Sequence, residues 1–191
     1  MNDKIQSLSS LDVFLLALID SGVATSYAMR EEAGISVGAS RPALHRLSAL
    51  ALVAEGAAGA RGKVTFKLTA SGRRAKSASL NFLLADYRLH PPSDIESILR
   101  VAALALSAAK PAEAVELMTR AADRFRRIAR EVGKPAAENE SGVAGIYHSM
   151  AASASANQLA AAHKTLSSLA AVCGKLPVRP RIQRARPHTK K

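Results

Sequence analysis

The apolar positions in the first part of the chain recur every three or four residues, which is the period of helices that pack against a core. The stretch "SLSSLDVFLLALIDSG" predicts a first, buried helix with a serine N-cap and a stop at Gly22. The stretch "ATSYAMREEAG" predicts a second, short helix that is capped by Thr25 or Ser26 and ends at Gly34. Two helices in close succession therefore open the chain.

A third helix is expected after the turn "ISVGAS". It is predicted to run toward Val53. Its apolar stripe consists of Leu44, Leu47, Leu50 and Ala51. Both Ser36 and Ser40 qualify as its N-cap. Pro42 favours a start close to Ser40, because proline fits the first turn of a helix and clashes deeper inside.

The pattern then changes from helical spacing to alternation, which predicts a strand. After the Gly-rich basic loop "EGAAGARGK", Val64, Phe66 and Leu68 point one way and the polar residues between them point the other. We interpret this stretch as part of a β-hairpin whose loop carries Arg61 and Lys63. Three helices followed by a hairpin are the element order of a winged helix-turn-helix.

Beyond the hairpin, the sequence predicts helices only. The expected elements are a connecting helix at 73–89, a helix from a capping box of Ser93 and Glu96 to about Ala109, a helix at 111–132 and a long helix at 141–173. The last of these is up to about 50 Å long if the Ser and Ala run at 151–156 does not interrupt it.

The predicted fold class is therefore mainly α, with an N-terminal winged helix-turn-helix and its small β-hairpin wing followed by an all-α C-terminal dimerisation region. The expected division of the chain is a DNA-binding domain at 1–76, a connecting helix at 77–92, a helical dimerisation domain at 93–173 and a disordered basic tail at 174–191.

The charge of the chain is unevenly distributed. The 191 residues carry a net charge of +12, an excess that attracts polyanions. Nine cations against three acids make residues 21–76 strongly basic, whereas residues 93–173 are nearly neutral. The tail at 174–191 holds seven cations and no acid. The hairpin unit and the tail are thus the segments in which an acidic partner is expected.

The third helix carries its cations opposite its apolar stripe. At 100° per residue, Arg41 and His45 lie on the far side and Arg46 lies on the flank. Such a face suits the major groove of DNA, where arginine bonds a guanine edge and serine or histidine reaches single acceptors. The candidate DNA-binding residues are Ser36, Ser40, Arg41, His45 and Arg46 around the third helix, Thr25, Ser26 and Tyr27 at the start of the second, and Arg61 and Lys63 in the wing. Capping alone also explains Thr25 and Ser26, and His45 by itself is compatible with an ordinary surface histidine.

The same stretch resembles the PadR family of bacterial transcriptional regulators and, more distantly, MarR-type regulators. The matching residues are Ile35-Ser36 in the turn, Pro42-Ala43-Leu44 in the third helix, Leu52-Val53 at its exit and Leu68-Thr69-Ala70-Ser71-Gly72 after the wing strand. The resemblance covers roughly residues 11–74. It implies dimeric DNA binding, with the third helix reading bases and the wing on the backbone.

The helical second half predicts a homodimer. A single long amphipathic helix cannot bury its stripe within so small a domain, and a partner helix from a second copy would cover it. A monomeric helical bundle is the alternative. The proline-rich tail is expected to be extended, either as an arm that follows phosphates or enters a minor groove, or as a solubilising segment. A small-molecule effector between the two halves is a further hypothesis that no residue set identifies.

No enzymatic activity, metal or cofactor is predicted. The histidines have no Asp, Glu or Cys at metal-ligand spacing, and "GAAGARGK" precedes a strand where a phosphate-binding loop precedes a helix. The N-terminus lacks the features of a secretory signal, no apolar run is long enough for a membrane span, and the single Cys173 agrees with a reducing compartment. The expected location is the bacterial cytoplasm, in association with the nucleoid.

The sequence therefore predicts a transcriptional regulator, specifically a repressor, that binds an inverted repeat of double-stranded DNA as a homodimer. Two alternatives remain open at this point. One is a non-specific or architectural DNA-binding protein of a mobile element or chromosome-organising system. The other is a winged-helix adaptor that binds protein.

Overall fold

The structure, a computed structural model, describes residues 8–56, 64–132 and 143–175, which form seven helices and one two-stranded sheet. In chain order the elements are α1 (Ser10–Ser21), α2 (Ser26–Ala33), α3 (Val37–Ala49), β1 (Val53–Glu55), β2 (Phe66–Leu68), α4 (Ala70–Leu89), α5 (Ile95–Ser107), α6 (Pro111–Val132) and α7 (Val143–Cys173). The prediction of a mainly α fold with a small antiparallel sheet is confirmed.

The first two helices end where glycine allows a left-handed backbone. Gly22 and Gly34 have φ of 104° and 66° and close α1 and α2, as predicted. Ser9 caps α1 in a reciprocal capping box with Asp12. Of the two predicted caps for α2, the structure selects Thr25, whose hydroxyl accepts a hydrogen bond from the backbone N–H of Ala28 at 3.1 Å.

The boundaries of α3 differ from the favoured interpretation of the sequence at both ends. The helix starts at Val37, because the hydroxyl of Ser36 accepts the free N–H of Ala39 at 3.2 Å. A start close to Ser40 is wrong, and Pro42 lies inside the helix. At the other end α3 stops at Ala49, since Ala51 adopts a left-handed φ of 54° and turns the chain into β1.

The sheet pairs β1 and β2 antiparallel, with Val53 opposite Leu68 and Glu55 opposite Phe66. The backbone N–H of Phe66 also donates to the carbonyl of Ala24 at 2.8 Å, which ties β2 to the loop between α1 and α2. The hairpin is thereby fixed to the three helices before it. The predicted wing residues Arg61 and Lys63 lie outside the described residues.

The junction between the sheet and α4 is closely packed. Thr69 caps α4 by accepting the N–H of Gly72 at 2.9 Å, and its hydroxyl also donates to the carbonyl of Leu52 at 3.0 Å. Gly72 is buried, and a Cβ built on it would lie 2.0 Å from the Leu52 carbonyl oxygen. The helix begins at Ala70, three residues before the predicted Arg73, and continues without a break to Leu89.

The later helices share a continuous core with the first ones. α1 packs against both α4 and α5, and α6 packs between α5 and α7. Buried side chains of this half include Ile98, Val101, Leu117, Phe125 and Leu166. Asp94, and not Ser93, caps α5, because its carboxylate accepts the N–H groups of Glu96 and Ser97 at 3.0 and 3.1 Å.

The last helix, α7, is a single element of 31 residues, about 46 Å long. The Ser and Ala run at 151–156 does not interrupt it.

Within the described ranges, no single helix is both long and apolar enough to cross a membrane. Helices α1 and α2 reach that length and hydropathy only when they are taken together, and they are bent by 98° relative to each other.

Candidate nucleic-acid interface

The outer face of α3 is polar and its inner face is anchored in the core. Ala43, Leu44 and Leu47 are buried, whereas Arg41 and His45 are exposed. The spacing of the leucines explains this arrangement, because residues three and four apart share one side of a helix. The structure therefore presents at the surface two of the side chains that the sequence singled out around the third helix, Arg41 and His45.

The segment between α2 and α3 is a turn of three residues, 34–36. Gly34 supplies the positive φ, Ile35 is buried, and Ser36 is exposed and caps α3. The N–H of Ile35 donates to the carbonyl of Met29 at 3.3 Å, which joins the turn to the buried side of α2. This turn holds the start of α3 at the surface.

The candidates at the start of α2 have different environments. Tyr27 is 62% exposed, whereas Thr25 is buried and its hydroxyl is occupied as the helix cap. Ser26 is half-buried. Capping accounts for Thr25, and Tyr27 is the most exposed side chain of the three.

Ser40 does not belong to the interface. Because α3 begins at Val37, Ser40 lies on the same side of the helix as Leu44 and Leu47 and is fully buried. Its hydroxyl donates back to the carbonyl of Val37 at 3.4 Å. The prediction that Ser40 contacts DNA is wrong, and it depended on placing the helix start too late.

Arg46 forms an ion pair that joins two helices, α3 and α1. Its Nη2 donates to Oδ1 of Asp12 at 2.6 Å, and the Asp12 side chain is 4% exposed while that of Arg46 is 55% exposed. The other carboxylate oxygen accepts the backbone N–H and the hydroxyl of Ser9 at 3.0 and 2.8 Å. Arg46 thus links α3 to the cap of α1, a role that the sequence did not predict because its partner lies 34 residues away.

Replacing Arg46 with glutamine is expected to destabilise the fold by about 1 kcal/mol, because the buried Asp12 carboxylate loses a charged donor while Arg46 itself is half in water. Urea unfolding followed by circular dichroism measures the change. Arg41→Gln is the matched control on the same helix, since Arg41 is exposed, and should change stability by less than about 0.5 kcal/mol. Equal stabilities for the two variants would contradict the anchoring role.

The cations of the first helices and the sheet are only partly ion-paired. Among the described residues, Arg30, Arg41 and Lys67 have no ion-pair partner, whereas Lys76 pairs with Asp20 at 2.6 Å. Lys67 lies on β2 and is exposed. It was not among the predicted site residues, although its alternation with Phe66 and Leu68 assigns it to the outer face of the strand.

In the part of the chain that the structure describes, no three His, Cys, Asp or Glu side chains are grouped so as to hold a metal ion. Cys173 is buried and has a free thiol.

Comparison of the chain with protein-family models, with curated proteins and with solved structures gave no match in any of the three.

Proposed function

We propose that the protein is a sequence-specific transcriptional regulator, a repressor, that binds an inverted repeat as a homodimer. The observation that carries this proposal is the exposure of Arg41 and His45 on a helix whose opposite side is fixed in the core. Neither side chain has an ion-pair partner among the described residues. A regulator of this kind acts in the cytoplasm, on the nucleoid.

The geometry of α2 and α3 supports a helix-turn-helix assignment for this region. Two helices joined by a turn of three residues containing a glycine are typical of that motif, in which the second helix enters the major groove. Arg41 can bond the O6 and N7 of a guanine with two donors, and His45 can reach a single acceptor on a neighbouring base. In this proposal α3 reads the sequence.

The sheet supports a winged arrangement next to that helix. Lys67 on β2 is exposed and unpaired within the described ranges, and the segment that joins the strands contains Arg61 and Lys63. Lysine and arginine at these positions would contact phosphates, as would the hydroxyl of Tyr27 at the first turn of α2. Such contacts fix the register of the protein on DNA and carry no sequence information.

The surface of α7 supports the homodimer. Leu166, Ala170 and Cys173 are buried against the rest of the chain, whereas Met150 and Val172 are 68% and 59% exposed. A helix with apolar residues on all sides is usually buried on all sides. A second copy of α7 would cover the exposed side, and a twofold dimer would present two copies of α3 to the two halves of an inverted repeat.

Replacing Leu169 and Val172, both exposed on α7, with glutamate is expected to convert the dimer to a monomer, because two charges in an apolar interface would lose their hydration without partners. Sedimentation velocity at micromolar concentration measures the mass, with twice 20.0 kDa expected for the wild type and 20.0 kDa for the variant. Replacing the exposed Ser77 and Ala78 of α4 with glutamate adds the same charge away from α7 and is the control, which should leave the mass unchanged. A wild-type mass of 20.0 kDa would contradict the dimer.

The function is tested by selection from a pool of random duplexes at about 0.15 M salt, with sequencing of the bound fraction. The proposal expects an enriched inverted repeat whose half-sites are about 10 base pairs apart, centre to centre. Tight binding without enrichment would replace it with an architectural role based on phosphate contacts. No binding to any duplex would contradict DNA binding and favour a protein adaptor.

A further inference from the structure

The charges of α6 are separated along its length. Glu113 and Glu116 lie near its start, whereas residues 120–130 carry five arginines and one acid, Asp123. The nearly neutral charge of residues 93–173 is therefore an average that conceals a strongly basic segment of one helix.

The helix dipole does not account for these arginines. Cations stabilise the end of a helix through its dipole, but this effect falls off within the last turn. Of the five arginines, Arg130 is the one in the last turn of α6. Arg124 and Arg127 lie further back, and neither has an ion-pair partner within the described ranges. Another role is needed to explain their positions.

Arg124 and Arg127 line a groove of about 380 Å³ between α6 and the end of α4. His90, the residue that follows α4, also lines it. Arg124 is half-buried and donates to the hydroxyl of Ser93 at 3.4 Å, which holds its guanidinium beside the loop that leads to α5. Arg127 is exposed. The groove therefore has one positioned guanidinium and one that is open to solvent.

Nearby acids compensate these cations only in part. Among the described residues, Glu131 is the one carboxylate in the lining of the groove, and it forms no ion pair with Arg127 one turn before it. His90 lies 3.7 Å from Asp86, measured from Nδ1 to Oδ1, and its side chain is 78% exposed. Two arginines against one acid leave the groove with an excess of positive charge.

We propose that this groove binds the phosphate backbone of double-stranded DNA, with Arg124 and Arg127 as donors, at a contact separate from the one that α3 makes. Residues three apart are neighbours on a helix surface, so the two side chains can hold one phosphate or two adjacent ones. A guanidinium matches phosphate oxygens with two donors. Such a contact adds affinity and carries no sequence information.

The exposure of the groove favours a polyanion over a single small anion. Arg127 and His90 are open to water, which competes for a lone ion. A duplex releases condensed counterions when several phosphates are neutralised, so exposed arginines still contribute to its binding. The 20 residues of α4 separate the groove from the sheet, and a contact here therefore adds to those of the hairpin. The choice of DNA as the polyanion rests on the proposed function, whereas the charge of the groove does not.

The contact is tested on the full chain with a scrambled duplex of about four helical turns, which removes base reading by α3. Fluorescence anisotropy between about 0.05 and 0.2 M salt gives the slope of log K against log salt, which is about 0.9 for each phosphate contacted. The double variant Arg124→Gln, Arg127→Gln is expected to reduce the slope by about 1.8 per protomer and to weaken binding at about 0.05 M salt tenfold or more.

The double variant Arg126→Gln, Arg130→Gln is the matched control. It removes the same charge from exposed positions of the same helix that do not line the groove, and should change the slope by less than about 0.5. Arg127→Gln alone changes one exposed side chain and should reduce the slope by about 0.9 per protomer, which keeps the test valid if the loss of Arg124 disturbs folding. Circular dichroism of each variant verifies that it is folded.

Equal slopes for the wild type and the Arg124, Arg127 variant would overturn the proposal, as would an equal reduction in the control. A labelled polyglutamate peptide is the second probe. If the groove variant lost binding to this peptide and kept the DNA slope of the wild type, an acidic protein surface would replace DNA as the partner.

Failure of this contact is distinguishable from failure of the proposed function. If no repeat is enriched in the selection while the groove variants reduce the slope, the sequence-specific function fails and the groove contact stands. If a repeat is enriched and the slopes are equal, the groove contact fails and the function stands. Absence of binding to any duplex overturns both.

Discussion

The double variant Arg41→Ala, His45→Ala is expected to bind the selected duplex about 100-fold more weakly or worse than the wild type. Each base contact contributes about 1–3 kcal/mol of discrimination, and a homodimer makes every contact twice. The loss is limited by non-specific affinity, because phosphate contacts from the hairpin and from other cations remain. Both side chains are exposed, so the free energy of unfolding should change by less than about 0.5 kcal/mol.

Fluorescence anisotropy at about 0.15 M salt measures this loss on the selected and on a scrambled duplex. Arg126→Ala removes one positive charge from an exposed position on α6 and is the matched control, with an expected change of less than about threefold. If the double variant still discriminates the two duplexes as the wild type does, α3 does not read the sequence. Equal weakening on both duplexes would assign Arg41 and His45 to phosphate contacts.

Gly72→Ala is expected to destabilise the fold by about 2–3 kcal/mol, although alanine is the better helix former. The new Cβ would meet the Leu52 carbonyl oxygen at 2.0 Å and Cδ1 of Leu68 at 2.8 Å. The first of these atoms is backbone and belongs to the close junction between the sheet and α4, so it cannot move aside without breaking that junction. Overpacking therefore outweighs the gain in helix propensity.

Gly38→Ala is the control, and its expected change in stability has the opposite sign. Gly38 also lies in a helix, α3, but the one atom of the described residues within 4 Å of a Cβ there would be the Ser36 hydroxyl oxygen, at 3.9 Å. We expect a gain of about 0.5–1 kcal/mol from the lower entropy of the unfolded chain and the higher helix propensity. Urea unfolding of both variants measures the difference. If the Gly72→Ala variant were as stable as the Gly38→Ala variant, the close packing of α4 on Leu52 would be contradicted.

Local signals were sufficient for many helix ends, because the groups that decide them are close in sequence. Gly22, Gly34 and Thr25 are examples, since a glycine or a hydroxyl acts on residues within one turn. The start of α3 was harder, because two serines competed and the preference of Pro42 for a first turn was outweighed by the cap at Ser36. Because the helix start was placed too late, Ser40 was assigned to the exposed side, whereas the structure buries it.

Contacts between distant residues were beyond sequence reasoning. The pair of Arg46 with Asp12 joins residues 34 positions apart, and the sequence around either residue does not predict the other as its partner. The motif Leu68-Thr69-Ala70-Ser71-Gly72 was identified only by its resemblance to a family pattern. The structure supplies physical reasons for two of its members, since Thr69 caps α4 and Gly72 allows that helix to approach Leu52, the residue before β1.

The continuity of α4 has a mechanical consequence. This helix begins at the sheet and ends at Leu89, so its 20 residues form a lever about 30 Å long. A tilt of about 6° at the Leu89 end would displace the strands at the other end by about 3 Å, roughly the rise of one base pair of DNA. In the proposed dimer held together by α7, a change in the angle of α4 would therefore change the span between the two hairpins, and a small rearrangement of the helical half would produce a larger displacement at the hairpin.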